Sequence, residues 1–423
     1  MKLCVGIAVA GVAVTAALLA GEGDEMADKR PSGPAPADDA DKIPLVIPDE
    51  SAQDWVVDRF AGNSTTGPLF YQGPAREVGG LGKAGVTELP DGRILVSCAA
   101  GLAEMSSNGV LRLFMGDDGL IEGPLEQCRS GGLIWNAKEK ALYITGPRCL
   151  RKVVEKPDGT GWVEVFAGIP TEEPGKSGPR NGPVKNATFP LSHRGIVCNS
   201  QGVFYTLDVW HGIRKIENGE VSGVKLKFVD EPKRFDISLS GNLTLGEDDD
   251  TLYVADHWSW VARRVDLKTG EVRNLAFMPR GVKHDAMPEV RWDRCGQNAD
   301  GPALTHASHN SGLGGVSYDR FHKALWFNGD DETRFRWIKN GWVKSVIGCD
   351  NKSRGSSSTG RWSIDSIGVP GPKASIAWCA VSGFDSKGGV YIGGGSLPHG
   401  VWRAYNKKEG TSHETWWKAE VNQ

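Results

Sequence analysis

The side chains best suited to chemistry in this chain are histidines that stand close to aspartates and tryptophans. Residues 208–211 read Asp-Val-Trp-His, and residues 256–258 read Asp-His-Trp. Imidazole binds metals and titrates near neutral pH, and indole rings present flat apolar faces to ligands. The full set of candidate site residues is His193, Arg194, Asp208, Trp210, His211, Asp256, His257, Trp258, His309, Asp330, Arg334 and His399.

A short apolar segment recurs along the chain and supplies the framework that must position these side chains. Its six copies centre on Leu95, Tyr143, Tyr205, Tyr253, Trp326 and Tyr391. Short runs of Val, Ile, Tyr and Trp between Gly, Asn and Asp turns favour strands over helices. Strands in groups of four, none able to bury both faces alone, are typical of propeller blades. The sequence therefore predicts an all-β fold, a six-bladed β-propeller with four-stranded antiparallel blades.

The third copy carries a string of short motifs in a fixed order. It reads Phe-Ala-Gly at 166–168, Asn-Gly-Pro at 181–183, Tyr-x-x-Asp at 205–208 and Ile-Arg-Lys-Ile at 213–216. This string resembles the NHL repeat, the unit of six-bladed propellers. With weaker copies included, the resemblance extends over about residues 55 to 405 and implies NHL-type blades.

Strand order gathers six of the nine histidines on one face of the expected propeller. Loops that enter first strands and loops that follow second strands share this face, where rigid strands position variable loops. We call it the loop face. His193, His306 and His309 precede first strands, and His211, His257 and His399 follow second strands. The sequence predicts that a ligand binds there.

A divalent metal, zinc or calcium, is one expectation for the loop face. Peptide-amidating lyases, propellers of the same class, bind zinc through histidines that begin innermost strands of alternate blades. That resemblance implies His193 and His309 as ligands, but blade one offers Val78–Gly82 where a third histidine is needed. The gluconolactonase and senescence-marker propellers use a Glu, two Asn and an Asp, a tetrad that this sequence does not supply. The alternative is a set of hydrogen-bonding loop histidines on a wet surface.

The other polar candidates also have two interpretations each. Asp208 and Asp256 could bind a ligand, or their carboxylates could accept backbone N–H groups in turns, as the NHL pattern implies. Arg194 and Arg334, the latter close to Asp330, could hold a carboxylate or sulfate, or form structural salt bridges. The structural interpretation is the commoner outcome for both pairs. The neighbouring tryptophans could stack on sugar rings or cap the ends of the blades.

The chain begins with a segment that predicts export. Residues 3–20 carry no charge and end in small residues, which is typical of a secretion signal over residues 1–21. An uncleaved membrane anchor is the alternative, since roughly 20 apolar residues suffice to span a bilayer. Residues 22–50 are rich in Pro, Ala and Asp and predict a disordered linker, followed by a single propeller domain over 51–423. The expected location is extracytoplasmic, either periplasmic or secreted.

Two further segments bear on stability. Trp55–Gly62 resembles the fourth strand of a blade and is expected to complete blade six, with Glu414–Lys418 as its rival for the same position.

An oxidising compartment permits disulfides, and one pair is expected among Cys98, Cys128 and Cys149 and another between Cys295 and Cys349.

Composition and missing motifs narrow the range of functions. Lys and Arg number 49 against 52 Asp and Glu, for a net charge of −3, and no basic stripe is visible, so nucleic acid is excluded as a partner. No Gly-x-Ser-x-Gly elbow, His-Glu-x-x-His motif or glycine-rich phosphate loop occurs. The sequence predicts an exported monomeric propeller, without a membrane span in the mature chain, that binds a small molecule, glycan or peptide. The alternatives are a metal-dependent lyase or lactonase-type hydrolase and a protein-interaction scaffold.

Overall fold

A computed structural model gives the architecture of most of the chain. It describes residues 44–63, 72–81, 85–98, 100–116, 119–128, 131–158, 160–171, 179–190, 195–208, 212–231, 237, 242–277, 298–308, 313–329, 334–350, 368–374, 379–394 and 400–409. The predicted signal segment and residues 22–43 of the predicted linker lie outside these ranges. Within them, no helix has the length and apolar character needed to cross a membrane.

The described residues form strands and a few single-turn 3-10 helices. The strands of the first three blades, with one that precedes them, are β1 (Trp55–Ala61), β2 (Gly73–Pro74), β3 (Val86–Glu88), β4 (Ile94–Cys98), β5 (Gly101–Met105), β6 (Val110–Met115), β7 (Gly123–Pro124), β8 (Leu133–Asn136), β9 (Ala141–Gly146), β10 (Cys149–Glu155), β11 (Gly161–Gly168), β12 (Gly182–Pro183), β13 (Ile196–Cys198), β14 (Phe204–Asp208), β15 (Gly212–Glu217) and β16 (Glu220–Gly223).

The remaining strands belong to blades four to six. They are β17 (Lys227–Phe228), β18 (Leu243–Leu245), β19 (Thr251–Asp256), β20 (Val261–Asp266), β21 (Glu271–Ala276), β22 (Gly301–Pro302), β23 (Leu313–Asp319), β24 (Ala324–Gly329), β25 (Phe335–Lys339), β26 (Trp342–Ile347), β27 (Val369–Pro370), β28 (Cys379–Phe384), β29 (Val390–Gly394) and β30 (Val401–Asn406). The 3-10 helices are Ala52–Asp54, Leu125–Gln127, His257–Ser259, Gly371–Lys373 and Lys407–Glu409.

These strands make six sheets, one for each predicted blade, so the six-bladed propeller is confirmed. The six aromatic or apolar centres identified in the sequence all lie on second strands, β4, β9, β14, β19, β24 and β29. Innermost strands β8, β13, β18, β23, β28 and β3 follow one another around a central axis, and β28 contacts β3. The chain thus closes a ring around an axial channel.

The prediction of four strands per blade was wrong, because each sheet has five. The additional strand has two residues and pairs with the outer strand of its blade. In five blades it ends in proline and is antiparallel to its partner, as in Pro183 opposite Glu220. Proline lacks an N–H and is therefore confined to sheet edges. In blade four the additional strand β17 is instead parallel to β21.

The hydrophobic core is divided among the seams between neighbouring blades. Six clusters of buried apolar side chains each draw from two adjacent blades. The seam between blades five and six holds Trp55, Trp326, Trp337 and Trp402, all buried. Ring centroids of Trp55 and Trp326 lie 5.3 Å apart in an edge-on arrangement, which aromatic rings prefer over face-to-face stacking.

The expected ring closure by the N-terminal strand is confirmed. Strand β1 pairs antiparallel with β30, from Trp55 opposite Asn406 to Ala61 opposite Val401, and becomes the outer strand of blade six. The first strand of the propeller thereby completes its last blade. The rival segment, Glu414–Lys418, lies outside the described residues.

The folded unit begins earlier than residue 51, where the sequence analysis ended the linker. The Ile47 N–H donates to Asp300 Oδ2 at 2.8 Å, and the Ser345 N–H donates to the Ile47 carbonyl at 3.0 Å. Asp49 Oδ2 accepts a hydrogen bond from Trp337 Nε1 at 3.1 Å. Residues 45–49 therefore satisfy polar groups at the outer edge of blade five, and they belong to the domain.

Cys128 and Cys349, two of the cysteines considered for disulfides, are free buried thiols. Burial raises the pKa of Cys349 to about 11, so this thiol stays protonated and inert near neutral pH.

Trp55 should be the most costly single residue to remove at the ring closure. Trp55→Ala empties a buried site between two blades and should lower the free energy of unfolding by about 3–5 kcal/mol. Trp162→Ala is the matched control, because Trp162 is 47% exposed on β11; it should cost less than about 1 kcal/mol. Urea unfolding measures both, and equal losses would contradict a special role of β1 in closing the ring.

A buried histidine fastens the turn of blade five to the end of β30. His322 Nδ1 lies 2.6 Å from Asp319 Oδ2, and Nε2 lies 2.8 Å from Glu409 Oε2. Since both acceptors are carboxylates, both ring nitrogens must donate, which requires the imidazolium form. Burial lowers the pKa of His322, but the hydrogen bonds and charges of Asp319 and Glu409 outweigh it and raise the pKa above 6.5.

This arrangement predicts a pH dependence with a definite sign. Between the ordinary histidine pKa of about 6.5 and the raised value in the fold, the folded chain binds more protons than the unfolded chain. The contribution of His322 to stability is therefore complete below that interval and is lost as the pH rises through it. Urea unfolding at a series of pH values should show this decline in the wild type and a shallower one in His322→Gln. Identical slopes in the two proteins would exclude the ion-paired imidazolium.

Candidate functional site

A cavity of about 790 Å³ occupies the axial channel between the innermost strands. All six blades contribute to its lining. Its mouth is bordered by turns between first and second strands, including Glu88–Gly92 of blade one and Asp319–Phe321 of blade five. We call this side the turn face. It is opposite to the loop face, on which the sequence analysis expected a ligand.

The turns around the mouth are held in shape by their own side chains. In four blades the turn begins with an Asp or Asn whose side-chain oxygen accepts backbone N–H groups two to four residues later. These residues are Asn136, Asn199, Asp319 and Asp385. Such Asx turns fix the local backbone without help from the rest of the fold. The mouth is thus bordered by turns with defined backbone geometry.

Aromatic side chains give the cavity much of its apolar surface. Trp135 of β8, Tyr318 of β23 and Phe384 of β28 are half-buried in its lining. Phe321 stands at the mouth with 51% of its surface exposed. A Cβ on Gly388, which has φ +81°, would come within 2.6 Å of the Phe321 ring, so the ring lies directly against this turn of blade six. An exposed phenylalanine at the mouth of a cavity is a natural surface for ligand contact.

The charged groups of the mouth are the guanidinium of Arg320 and the carboxylates of Glu88, Asp91, Asp319 and Asp385. Glu88 accepts hydrogen bonds from the N–H and hydroxyl of Ser386, at 3.1 and 2.7 Å, which joins blades one and six. Asp385 is bound to Arg403 at 2.6 Å. Burial opposes ionisation of Asp385, but the charge and hydrogen bonds of Arg403 hold its pKa below the usual value. Both polar and apolar groups therefore face the same cavity.

Nucleophilic chemistry is poorly supported at this cavity. Cys198 is the thiol of the lining. Burial, with smaller contributions from Glu139 and Asp249, raises the pKa of Cys198 to about 12. Burial likewise raises the pKa of Tyr318 to about 12. Since the thiolate is the reactive form of cysteine, Cys198 is a weak nucleophile at neutral pH.

Two of the predicted site residues, Asp208 and Asp256, are structural acids. Asp208 is 2% exposed, and its Oδ2 accepts a hydrogen bond from Arg214 Nη1 at 2.9 Å. Asp256 is fully buried and is bound to Arg263 Nε at 2.6 Å. Both carboxylates are buried against arginines of the third strands, a partner that the sequence analysis did not consider.

The arginines in these pairs belong to a repeated feature of the third strands. Buried arginines occupy one register position on β10, β15, β20 and β25, each opposite the residue that follows the central aromatic of the second strand. They are Arg151, Arg214, Arg263 and Arg336. Each donates to a carbonyl or side-chain oxygen in a neighbouring connection. These arginines hold the loops on the loop face against the blades.

Arg334 also serves the fold. Its Nη1 donates to Ser345 Oγ at 2.9 Å and lies 3.5 Å from Asp300 Oδ2, while Nη2 donates to the Asn298 carbonyl. Burial raises the pKa of Asp300 in spite of the neighbouring Arg334 and Arg336. Arg334 is 6% exposed, so its guanidinium is committed to blade five.

The remaining candidates on the loop face are only partly described. His257 follows β19, and its Nδ1 lies 3.0 Å from the Leu313 carbonyl at the start of β23. Outside the described residues or side chains are His193, Arg194, Trp210, His211, Trp258, His309, Asp330 and His399. In the part of the chain that is described, no group of three His, Cys, Asp or Glu is placed to hold a metal ion. The zinc or calcium site involving His193 and His309 therefore stays a prediction.

Comparison with known proteins agrees with the fold. No protein-family model and no curated protein matches the chain. A structural genomics protein of unknown function from Bacteroides thetaiotaomicron aligns with a TM-score of 0.55 and 12% identity, over 83% of this chain and 75% of that one. Auxiliary nutrient binding proteins from Bacteroides thetaiotaomicron and Bacteroides ovatus align with TM-scores of 0.55 and 0.53, each at 11% identity over 83% of this chain and 76% of theirs. The chain thus has the architecture of six-bladed β-propellers, which the NHL-like motifs predicted.

Removal of Asp208 tests its structural assignment. Asp208→Ala leaves the Arg214 guanidinium buried without its carboxylate and should lower the free energy of unfolding by about 3–5 kcal/mol. Asp158→Ala is the control, because Asp158 only caps an exposed turn at Thr160. Chemical unfolding measures both, and an Asp208 variant as stable as this control would return the residue to the list of ligand-binding candidates.

Proposed function

We propose that this protein is an exported binding module that takes a small organic ligand into its axial cavity from the turn face. The observation that carries the proposal is the cavity of about 790 Å³, to which every blade contributes. Ligand pockets of roughly 300–1,000 Å³, mostly apolar with a few converging polar groups, are typical of small-molecule sites. The lining meets this description with four aromatic rings beside Glu88, Arg320 and Thr244.

Hydrogen bonds between neighbouring innermost strands favour a binding site that is already formed before a ligand binds. Asn242 Oδ1 accepts the Val316 N–H at 2.8 Å, and Thr244 Oγ1 accepts the Tyr318 N–H at 3.3 Å, so side chains of blade four bind the edge of β23. These bonds satisfy backbone groups that would otherwise be unpaired in the channel. The cavity is therefore a pre-formed space between rigid strands, which reduces the entropy lost on binding.

Several polar groups of the cavity favour binding over catalysis, because they are ion-paired or protonated. Asp319 and Asp385 serve the turns and their cationic partners, and Cys198 is held as the thiol. A lactonase-type hydrolase or a metal-dependent lyase would require other residues, and the loop face holds the remaining candidates. Two propellers that share this fold are named auxiliary nutrient binding proteins, which supports capture of a nutrient as the class of function.

The N-terminal sequence supports the export part of the proposal. The apolar run over 3–20 is followed by Gly21, as in a secretion signal that directs a chain to the periplasm or the medium, and we propose that the exported protein is a monomer with an open turn face. This location suits a module that captures a nutrient before it enters the cell.

A thermal-shift screen tests the proposal. Monosaccharides, oligosaccharides, amino acids and short peptides should include at least one compound that raises the melting temperature, since a ligand at 100 times its Kd adds about 2.7 kcal/mol. Phe321→Ala removes the exposed ring at the mouth and should abolish most of the shift. Trp342→Ala, an exposed tryptophan on β26 away from the channel, should preserve it.

Two results would contradict the proposed function. One is a hit that stabilises Phe321→Ala as strongly as the wild type, because that compound binds elsewhere. The other is the absence of any stabilising compound in all four classes.

A further inference from the structure

The mouth of the axial cavity carries two charged side chains that lack a counter-ion in the described structure. Five lining residues are charged, and three of them are aspartates with cationic partners. The pairs are Asp91 with Arg93, Asp319 with His322 and Asp385 with Arg403, at 2.9, 2.6 and 2.6 Å. The other two are Glu88 and Arg320. Glu88 accepts its hydrogen bonds from the neutral Ser386, and Arg320 forms no ion pair with any described residue.

The same turn of blade six separates these two charges. Glu88 holds Ser386 from the side of blade one. From the side of blade five, Phe321, the neighbour of Arg320, lies against Gly388. Glu88 in the turn of blade one and Arg320 in the turn of blade five thus line the same mouth, with blade six between them. A ligand at the mouth can reach both without crossing the whole channel.

Apolar surface lies between and below the two charges. Phe384 ends β28 directly before the blade-six turn, and Phe321 stands beside it at the mouth. The lining also includes the aliphatic residues Leu133, Val197 and Leu245. A molecule whose charges remain at the mouth can thus place an apolar side chain in the channel, where burial of apolar area stabilises the complex.

We propose that the cavity binds zwitterions with apolar side chains, namely free apolar amino acids and short peptides. This inference rests on the proposed function and specifies its ligand class. Glu88 receives the ammonium group, Arg320 receives the carboxylate through its planar pair of donors, and the aromatic rings contact the side chain.

Neutral glycans fit the same cavity less well. Their rings would stack on Phe321 and Phe384, but they carry no charge for Glu88 or Arg320. Displacing the water around these two groups without supplying opposite charges costs binding free energy. The charged pair therefore discriminates against sugars and in favour of peptides.

The experiment combines changes in the ligand with changes in the protein. The probes are the dipeptide Phe-Leu, its N-acetyl derivative, its C-terminal amide and cellotetraose, measured by isothermal titration calorimetry on the mature chain. The wild type should bind Phe-Leu at least about tenfold more tightly than either blocked derivative, which corresponds to about 1.4 kcal/mol for each lost charge pair.

Two single variants assign each charge to its partner. Glu88→Gln should weaken Phe-Leu about tenfold but leave the N-acetyl derivative unchanged, since that derivative has no ammonium group to lose. Arg320→Gln should weaken Phe-Leu but leave the amide unchanged. Lys323→Gln is the matched control, because Lys323 is an exposed neighbour paired with Glu247 outside the lining. It should bind all probes as the wild type does. Ser386→Ala removes a hydrogen bond of Glu88 but keeps its charge. It therefore tests whether weaker binding by Glu88→Gln comes from a change in folding or from the lost charge.

The outcomes separate this inference from the proposed function. Binding of cellotetraose that depends on Phe321, without binding of Phe-Leu, would overturn the zwitterion class and keep the cavity as the site. Binding of Phe-Leu that is insensitive to both charge variants would also overturn it. Failure of both probes, together with failure of the thermal-shift screen, would overturn the proposed function itself.

Discussion

Each blade of this protein has two apolar faces, and only its neighbours can cover them. Every hydrophobic cluster therefore lies in a seam between two blades, and a seam exists only when both blades are folded. The ring must close for the last seam to form. Strand β1 achieves this by joining β30, which places Trp55 among Trp326 and Trp337. The axial channel is a consequence of this closure, since six sheets that meet around an axis leave their innermost edges facing one another.

Most of this architecture could be predicted from the sequence because it repeats. The central residue of each second strand, such as Tyr205 or Tyr253, marks a blade, and turn residues separate the strands that flank it. The closing role of Trp55–Gly62 followed from its likeness to a fourth strand. The fifth strand escaped prediction, because two residues such as Gly182-Pro183 carry no periodic signal and look like a loop. The contact of residues 45–49 with blade five was missed for the same reason, since it depends on single hydrogen bonds to Asp300 and Ser345.

The candidate site was harder to predict, because residue type does not reveal burial. For Asp208 and Asp256 a structural role was the commoner expectation, but their partners could not be predicted: each is buried against an arginine of the next strand. The sequence Ile213-Arg214-Lys215-Ile216 carries no alternation that would mark Arg214 as buried. Conversely, Arg320 and Phe321 lie within the Asx turn that begins at Asp319, and they resemble the residues of any exposed turn. Only the convergence of six turns around one axis makes them the border of a cavity, and that convergence comes from tertiary structure.

We propose that ligand enters the axial channel from the turn face. A crystal structure of the protein with the compound that raises its melting temperature most tests this directly. We expect electron density for the ligand between Phe321 and Phe384, with its polar groups toward Glu88 and Arg320. Density on the loop face beside His257, with the channel holding only water, would contradict it.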